Sequence, residues 1–397
     1  MKNSMKKITA ILSLLVVFAL LVGVSSCKKT DEPVPDPVIV LDGIYVKGNA
    51  AAYADFNKNA MMKITRNEVG QKIDSTLYEL YIPLKAGTDG FSIVQVAGAT
   101  VKTFGPLIGF GYVTNPTTDE PKFPFQRGGV SSTIATKFNV NENGMYHVVF
   151  DMTHNVVAIM LVHWGMIGAA TPHGWTTDTM MTETAFNATT MSWSLTGLKL
   201  NKGSWKFRYS HGWKVEMDTT DVNPDNWVKV NTNFGGAINA LVPGGDDMPN
   251  DAPGIYTCNL SYTLGTGYTA TLTKTGDIPP IDYSAYQMGI IGNAYLINGD
   301  TANWDKNFGT QLPVVSGTNY TWTYTLDLFG NKDFKFRQGE DWSGKSIGFT
   351  EVTMAGAAAA NFVDDGGNFK VTTGGNYTLV LLIEAATEKY TVTATKN

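Results

Sequence analysis

Five residues of this 397-residue chain return at a single offset, and that repetition restricts the fold more than any other feature. Trp193, Lys206-Phe207-Arg208 and Trp213 come back 129 positions later as Trp322, Lys335-Phe336-Arg337 and Trp342. Upstream, Ile167-Gly168-Ala169-Ala170 is matched by Ile291-Gly292-Asn293-Ala294, and each is followed by a tryptophan, Trp175 or Trp304. Downstream, Pro253-Gly254-Ile255-Tyr256-Thr257 is matched by Gly374-Gly375-Asn376-Tyr377-Thr378. Both copies finish on an alternating run, Tyr268 to Thr273 and Tyr390 to Thr395.

A fainter copy precedes these two. Val46-Lys47-Gly48-Asn49-Ala50 supplies the Gly-x-Ala opening, Leu80 to Leu84 followed by Phe91 to Val94 reads as a central hairpin, and Asn143-Gly144-Met145-Tyr146 supplies the Gly-x-Tyr closing strand. The copies therefore span about 41–163, 164–278 and 279–397, a number of domains that suits the length. Short runs rich in Thr, Val and Tyr, 41 glycines and no helical period predict an all-β fold. We expect three tandem β-sandwiches of immunoglobulin-like or carbohydrate-binding-module-like kind. In Thr321 to Leu328, strict alternation puts Trp322, Tyr324, Leu326 and Leu328 on the core face.

The same alternation points to a binding constellation. With Phe334 and Phe336 turned inward, Lys335 and Arg337 face outward, about 6–7 Å apart along the strand. Trp342 follows across the polar turn Gln338-Gly339-Glu340-Asp341. The second copy repeats the scheme with Lys206, Arg208 and Trp213, and Trp175 and Trp304 lie in opening loops that can approach the same edge. Indole faces stack on the C–H face of a pyranose, and Lys and Arg donate to its hydroxyls. An outward Lys/Arg pair is otherwise an ordinary solvated face, and Trp193 and Trp322 belong to the core register. The first copy has Ser92 and Val94 where the basic pair would stand, so it is expected to act as a spacer.

The N-terminus predicts a secreted lipoprotein. Lys2, Lys6 and Lys7 precede an apolar stretch from Ile8 to Val24 that ends Ser25-Ser26-Cys27. This reads as a signal peptide over 1–26 with Cys27 as the lipidated residue; a short membrane anchor is the alternative. Acyl chains would then hold the protein to the bacterial outer membrane, and alternating prolines in 27–40 form an extended tether. Cys258, the other cysteine, sits in an apolar run and reads as a packed thiol.

A secretion signal, a lipobox and tandem sandwiches bearing Gly-x-Ala, Lys-Phe-Arg and a loop tryptophan together resemble the SusE/SusF family of outer-membrane starch-binding lipoproteins. The resemblance implies non-catalytic binding of starch or maltooligosaccharide at the cell surface, beside a TonB-dependent transporter and other glycan-binding lipoproteins. It also implies sites at Trp175, Lys206, Arg208 and Trp213, and at Trp304, Lys335, Arg337 and Trp342. The first copy departs from that pattern, and loop lengths differ between copies.

Other chemistries find little footing. A net charge of −5 argues against nucleic acid. No acidic residue recurs across copies as the paired carboxylates of a glycosidase would, so no enzyme is expected. The clusters Asp246, Asp247 and Asp251, and Asp300, Asn303 and Asp305, suit turns better than calcium, and the five histidines lack zinc spacing, so no metal or cofactor is expected. The competing reading is a structural or adhesive sandwich array that engages protein partners.

Overall fold

The computed structural model describes residues 40–397. The expected signal peptide, Cys27 and all of the tether but its last residue lie outside the described residues. Regular structure among them is strand throughout, apart from five short 3-10 turns.

One plan recurs three times. An opening strand pairs antiparallel with the strand that carries the basic pair or its counterpart: Gly43–Gly48 with Phe91–Ala97, Trp164–Ile167 with Gly203–Tyr209, and Met288–Gly292 with Lys332–Gln338. A central strand pairs antiparallel with the closing strand: Lys72–Leu84 with Gly144–Asp151, Thr190–Leu200 with Gly254–Thr263, and Asn319–Leu328 with Gly375–Glu384. In the second and third copies these pairs lie in separate sheets. In the first, Thr100–Pro106 bonds to Phe125–Ser131 and joins the pairs into one path of eight strands within a nine-stranded sheet. The stretches from Leu80 to Leu84 and from Phe91 to Val94 are therefore not a hairpin, as alternation alone suggested; four strands separate them along that path.

The repeated Gly-x-Ala opening has a steric cause. A Cβ on Gly168 would stand 2.4 Å from the Trp205 Cα, and one on Gly292 would stand 2.6 Å from the Phe334 Cα. Only glycine lets the chain leave the opening strand so close to its neighbour. The alanine two residues on is buried in each copy, at Ala50, Ala170 and Ala294.

The expected core face is present. Trp322, Tyr324, Leu326 and Leu328 are buried, and across the ladder so are Tyr377, Leu379, Leu381 and Ile383. Each such side chain contributes about 1.5–3 kcal/mol on leaving water. The third sandwich keeps this core to itself, whereas one continuous cluster of buried residues runs from Ile44 to Leu264 through the first two.

That fusion explains a strand no alternating pattern predicts. Every residue of Gly144–Asp151 is buried. Phe150 meets Phe104 on the side of its own sandwich, with ring centroids 4.9 Å apart. His147 points the other way and bonds to the hydroxyl of Tyr209, in the second sandwich, at 2.8 Å. A strand covered on both faces needs a nearly continuous apolar run, which Met145-Tyr146-His147-Val148-Val149-Phe150 supplies.

Candidate functional site

Arg208 and Arg337 leave their strands on the side away from the core, as alternation requires, but neither stands in solvent. Arg208 is 6% exposed and Arg337 is 1% exposed. Each guanidinium lies under the indole that follows it in sequence. The Arg208 Cζ is 4.5 Å from the Trp213 ring centre, and the Arg337 Cζ is 5.0 Å from that of Trp342. Desolvated contacts of this kind contribute about 2 kcal/mol. The expectation of two free cationic donors per site is thus corrected for the arginines, because loops close over them.

The loops are held by residues outside the repeated Lys-Phe-Arg and tryptophan motif. Asp178 takes Arg208 Nε at 2.8 Å and Nη2 at 3.0 Å, and its Oδ2 also lies 2.5 Å from His211 Nδ1. In the third copy Asn307 fills the place of Asp178, and its Oδ1 takes Arg337 Nε at 2.8 Å. Asn307 also donates from Nδ2 to the Gly339 carbonyl, while Arg337 Nη2 has no partner among the described residues. Asp178 and Asn307 obey the 129-residue offset; the change of residue type hid them.

Glycine makes room for this arrangement. Gly165 lies across the ladder from Arg208, and Gly289 lies across from Arg337. A Cβ at Gly165 would reach the Asp178 Cβ at 2.8 Å, and one at Gly289 would reach the Asn307 Cβ at 2.7 Å. In the first copy the pair opposite is Tyr45 with Val94, both buried, so apolar bulk takes the place of the arginine.

A second tryptophan stands beside the one over each guanidinium. Trp175 and Trp213 have ring centroids 6.2 Å apart and planes inclined by 37°; Trp304 and Trp342 are 6.3 Å apart and inclined by 30°. Trp175 is 41% exposed and Trp342 is 54% exposed, while Trp213 and Trp304 are half-buried. The opening-loop tryptophans therefore do reach the same edge. Trp304 holds φ +60, a region that costs a bulky residue about 1–3 kcal/mol and that persists where surrounding structure enforces it.

Lys206 and Lys335 keep partial exposure. Lys206 lies 3.2 Å from Asp247, and Lys335 has no ion pair among the described residues. Trp193 and Trp322 are buried core residues, as their register required.

The second site also leans on the first sandwich. The Trp213 backbone N–H donates to the Asp119 carbonyl at 2.7 Å, and Phe123 stacks on His211 at 5.7 Å and 18°. Lys122 N–H donates to the Ser210 carbonyl at 2.7 Å. The first copy is thus more than a spacer: one of its loops fixes the turn that presents Trp213. No helix among the described residues is long and apolar enough to cross a membrane, and no group of three acidic, histidine or cysteine side chains among them is placed to hold a metal.

Residues 288–393 match the family model for SusF/SusE starch-specific carbohydrate-binding modules, and this stretch contains Trp304, Lys335, Arg337 and Trp342. The resemblance drawn from the sequence thus meets an independent match in the third sandwich. Among solved structures, SusF from Bacteroides thetaiotaomicron overlaps 90% of this chain and 73% of its own, at 12% identity and a TM-score of 0.20. That overlap is too loose to bear on how the sandwiches are arranged. No curated protein matches the sequence.

Proposed function

From a third sandwich that matches the SusF/SusE starch-specific modules, we propose that the chain is a non-catalytic surface protein that binds starch or maltooligosaccharide at two tryptophan platforms. The observation that carries this reading is the twice-built pair of partly exposed indoles, one of them over a buried arginine. Planes inclined by 37° and 30° form a shallow trough. A helical α-glucan turns its sugar faces progressively and follows such a trough, whereas a flat β-glucan suits coplanar rings. Arg208 and Arg337 set the height and angle of the indoles, and Lys206 and Lys335 donate to sugar hydroxyls.

Lipidation at Cys27 would place the protein on the outer membrane, where a TonB-dependent transporter and other glycan-binding lipoproteins are its natural partners. Two weak sites on one tethered chain gain from effective concentration. Affinity electrophoresis in gels containing starch, pullulan, dextran or a β-glucan tests the reading. Retardation by the first two is expected; migration unaffected by every α-glucan overturns it.

A protein-binding array draws support from one feature, the exposed apolar edge of the third sandwich at Leu312, Val314 and Val315. That reading expects Trp213→Ala and Trp342→Ala to change nothing, because no glycan is held in the parent.

A further inference from the structure

Between the first two sandwiches lies a cavity of about 300 Å³ that neither tryptophan platform touches. Its walls come from both. Lys63, Glu79 and Tyr81 belong to Lys63–Asn67 and Lys72–Leu84, and Phe234, Tyr262 and Tyr268 belong to strands of the second sandwich. The rings form one aromatic surface: Tyr81 meets Tyr268 at 5.1 Å, Tyr262 meets Tyr268 at 4.7 Å, and Phe234 meets Tyr268 at 5.3 Å. The Tyr262 hydroxyl donates to the Tyr81 carbonyl and locks the two sandwiches around the space.

One polar group in it is left over. Glu79 spends Oε2 on His147 Nε2 at 2.9 Å, and its other oxygen has no protein donor among the described residues. Lys63 adds an exposed ammonium at the rim.

We infer that this cleft is a third ligand site, built by the first two sandwiches together, for a single neutral pyranose ring. The volume lies at the low end of small-molecule pockets, which run to roughly 300–1,000 Å³, so it admits one ring rather than a chain. The aromatic wall takes the apolar C–H face, Lys63 donates to a ring hydroxyl from the rim, and Glu79 accepts from another. The ring is either a free monosaccharide or the terminal unit of an oligosaccharide. The inference rests on these residues alone and holds whether or not the tryptophan platforms bind glucan.

The full chain carrying Trp175→Ala, Trp213→Ala, Trp304→Ala and Trp342→Ala silences the surface platforms and tests this directly. Saturation-transfer NMR with glucose and with maltotriose should still report a saturable site in that variant. Binding of glucose identifies a free-sugar site, and binding of maltotriose alone identifies a chain-end site. Adding Thr266→Trp, on an exposed turn at the cavity mouth, should remove the signal. Adding Lys63→Ala instead should weaken it about fivefold while leaving the melting temperature unchanged. No sugar signal from the platform-free variant, or a signal that both added substitutions leave intact, overturns the inference and leaves a water-filled cavity. The platforms are judged separately, by whether starch retards the wild-type chain and not this variant.

Discussion

Removing the Asp178 carboxylate separates a structural from an ornamental role for the buried arginine. Asp178 is buried with Arg208 and meets it through two hydrogen bonds of 2.8 and 3.0 Å. In Asp178→Ala the guanidinium stays out of water with only the face of Trp213 to meet it. Breaking a buried pair from one side costs about 3–5 kcal/mol. The first two sandwiches share one core, so they should unfold as one unit, and a unit of that size shifts by about 2–4 °C per kcal/mol. The expected fall is therefore about 6–20 °C in the larger transition of a calorimetric scan. The third sandwich has its own core, and its transition should stay in place as an internal control. Asp178→Asn should be milder, since Asn307 shows an amide oxygen meeting arginine Nε in the same geometry. A larger transition that moves by less than about 2 °C in Asp178→Ala refutes the claim that Asp178 holds Arg208 and the Trp213 turn in place.

Other predictions test the links around this site. Phe123→Ala, in the first sandwich, should weaken glycan binding at the Trp213 platform and spare the Trp342 platform, read by titrating each site with the other mutated. His154 clamps the two sandwiches, with Nδ1 2.7 Å from Asp151 and Nε2 3.1 Å from Asp218. The Asp151 hydrogen bond, aided by the charges of Asp151 and Asp218, raises the imidazole pKa. A raised histidine stabilises fully below the unfolded value near 6.5, and the contribution is lost as pH rises through the folded value. Melting temperature should therefore decline slightly as pH rises from about 6.5 through the folded value, by less in His154→Gln, and the side chain's 37% exposure keeps the effect small. Burial pushes the Cys258 thiol up to about 12, so a thiol reagent should label it only after unfolding; rapid labelling of native protein contradicts its burial.

What the sequence made legible was local and periodic. Alternation in Asn319–Leu328 placed Trp322 and Tyr324 inside, and a repeated offset picked out Trp213 and Trp342 before any geometry was known. The offset could also have found Asp178 and Asn307, but an acid and an amide in a turn resemble ordinary turn chemistry. Arginine burial escaped because alternation tells which side a residue leaves by, not what later folds over it. Hardest to see was the contact of Asp119 and Phe123 with the Trp213 turn, which joins segments some 90 residues apart by no local pattern. The both-sides-buried strand Gly144–Asp151 is the one trace of that docking the chain itself displays.

Counting occupied platforms is the most direct test. In a Thr266→Trp background, which closes the inter-sandwich cleft, calorimetric titration with a long maltooligosaccharide should give two equivalents for the parent. Trp213→Ala and Trp342→Ala should each give one, and the double variant none. A parent that takes up no maltooligosaccharide, or a double variant that binds as the parent does, contradicts the assignment of these paired indoles as the glycan-holding surface.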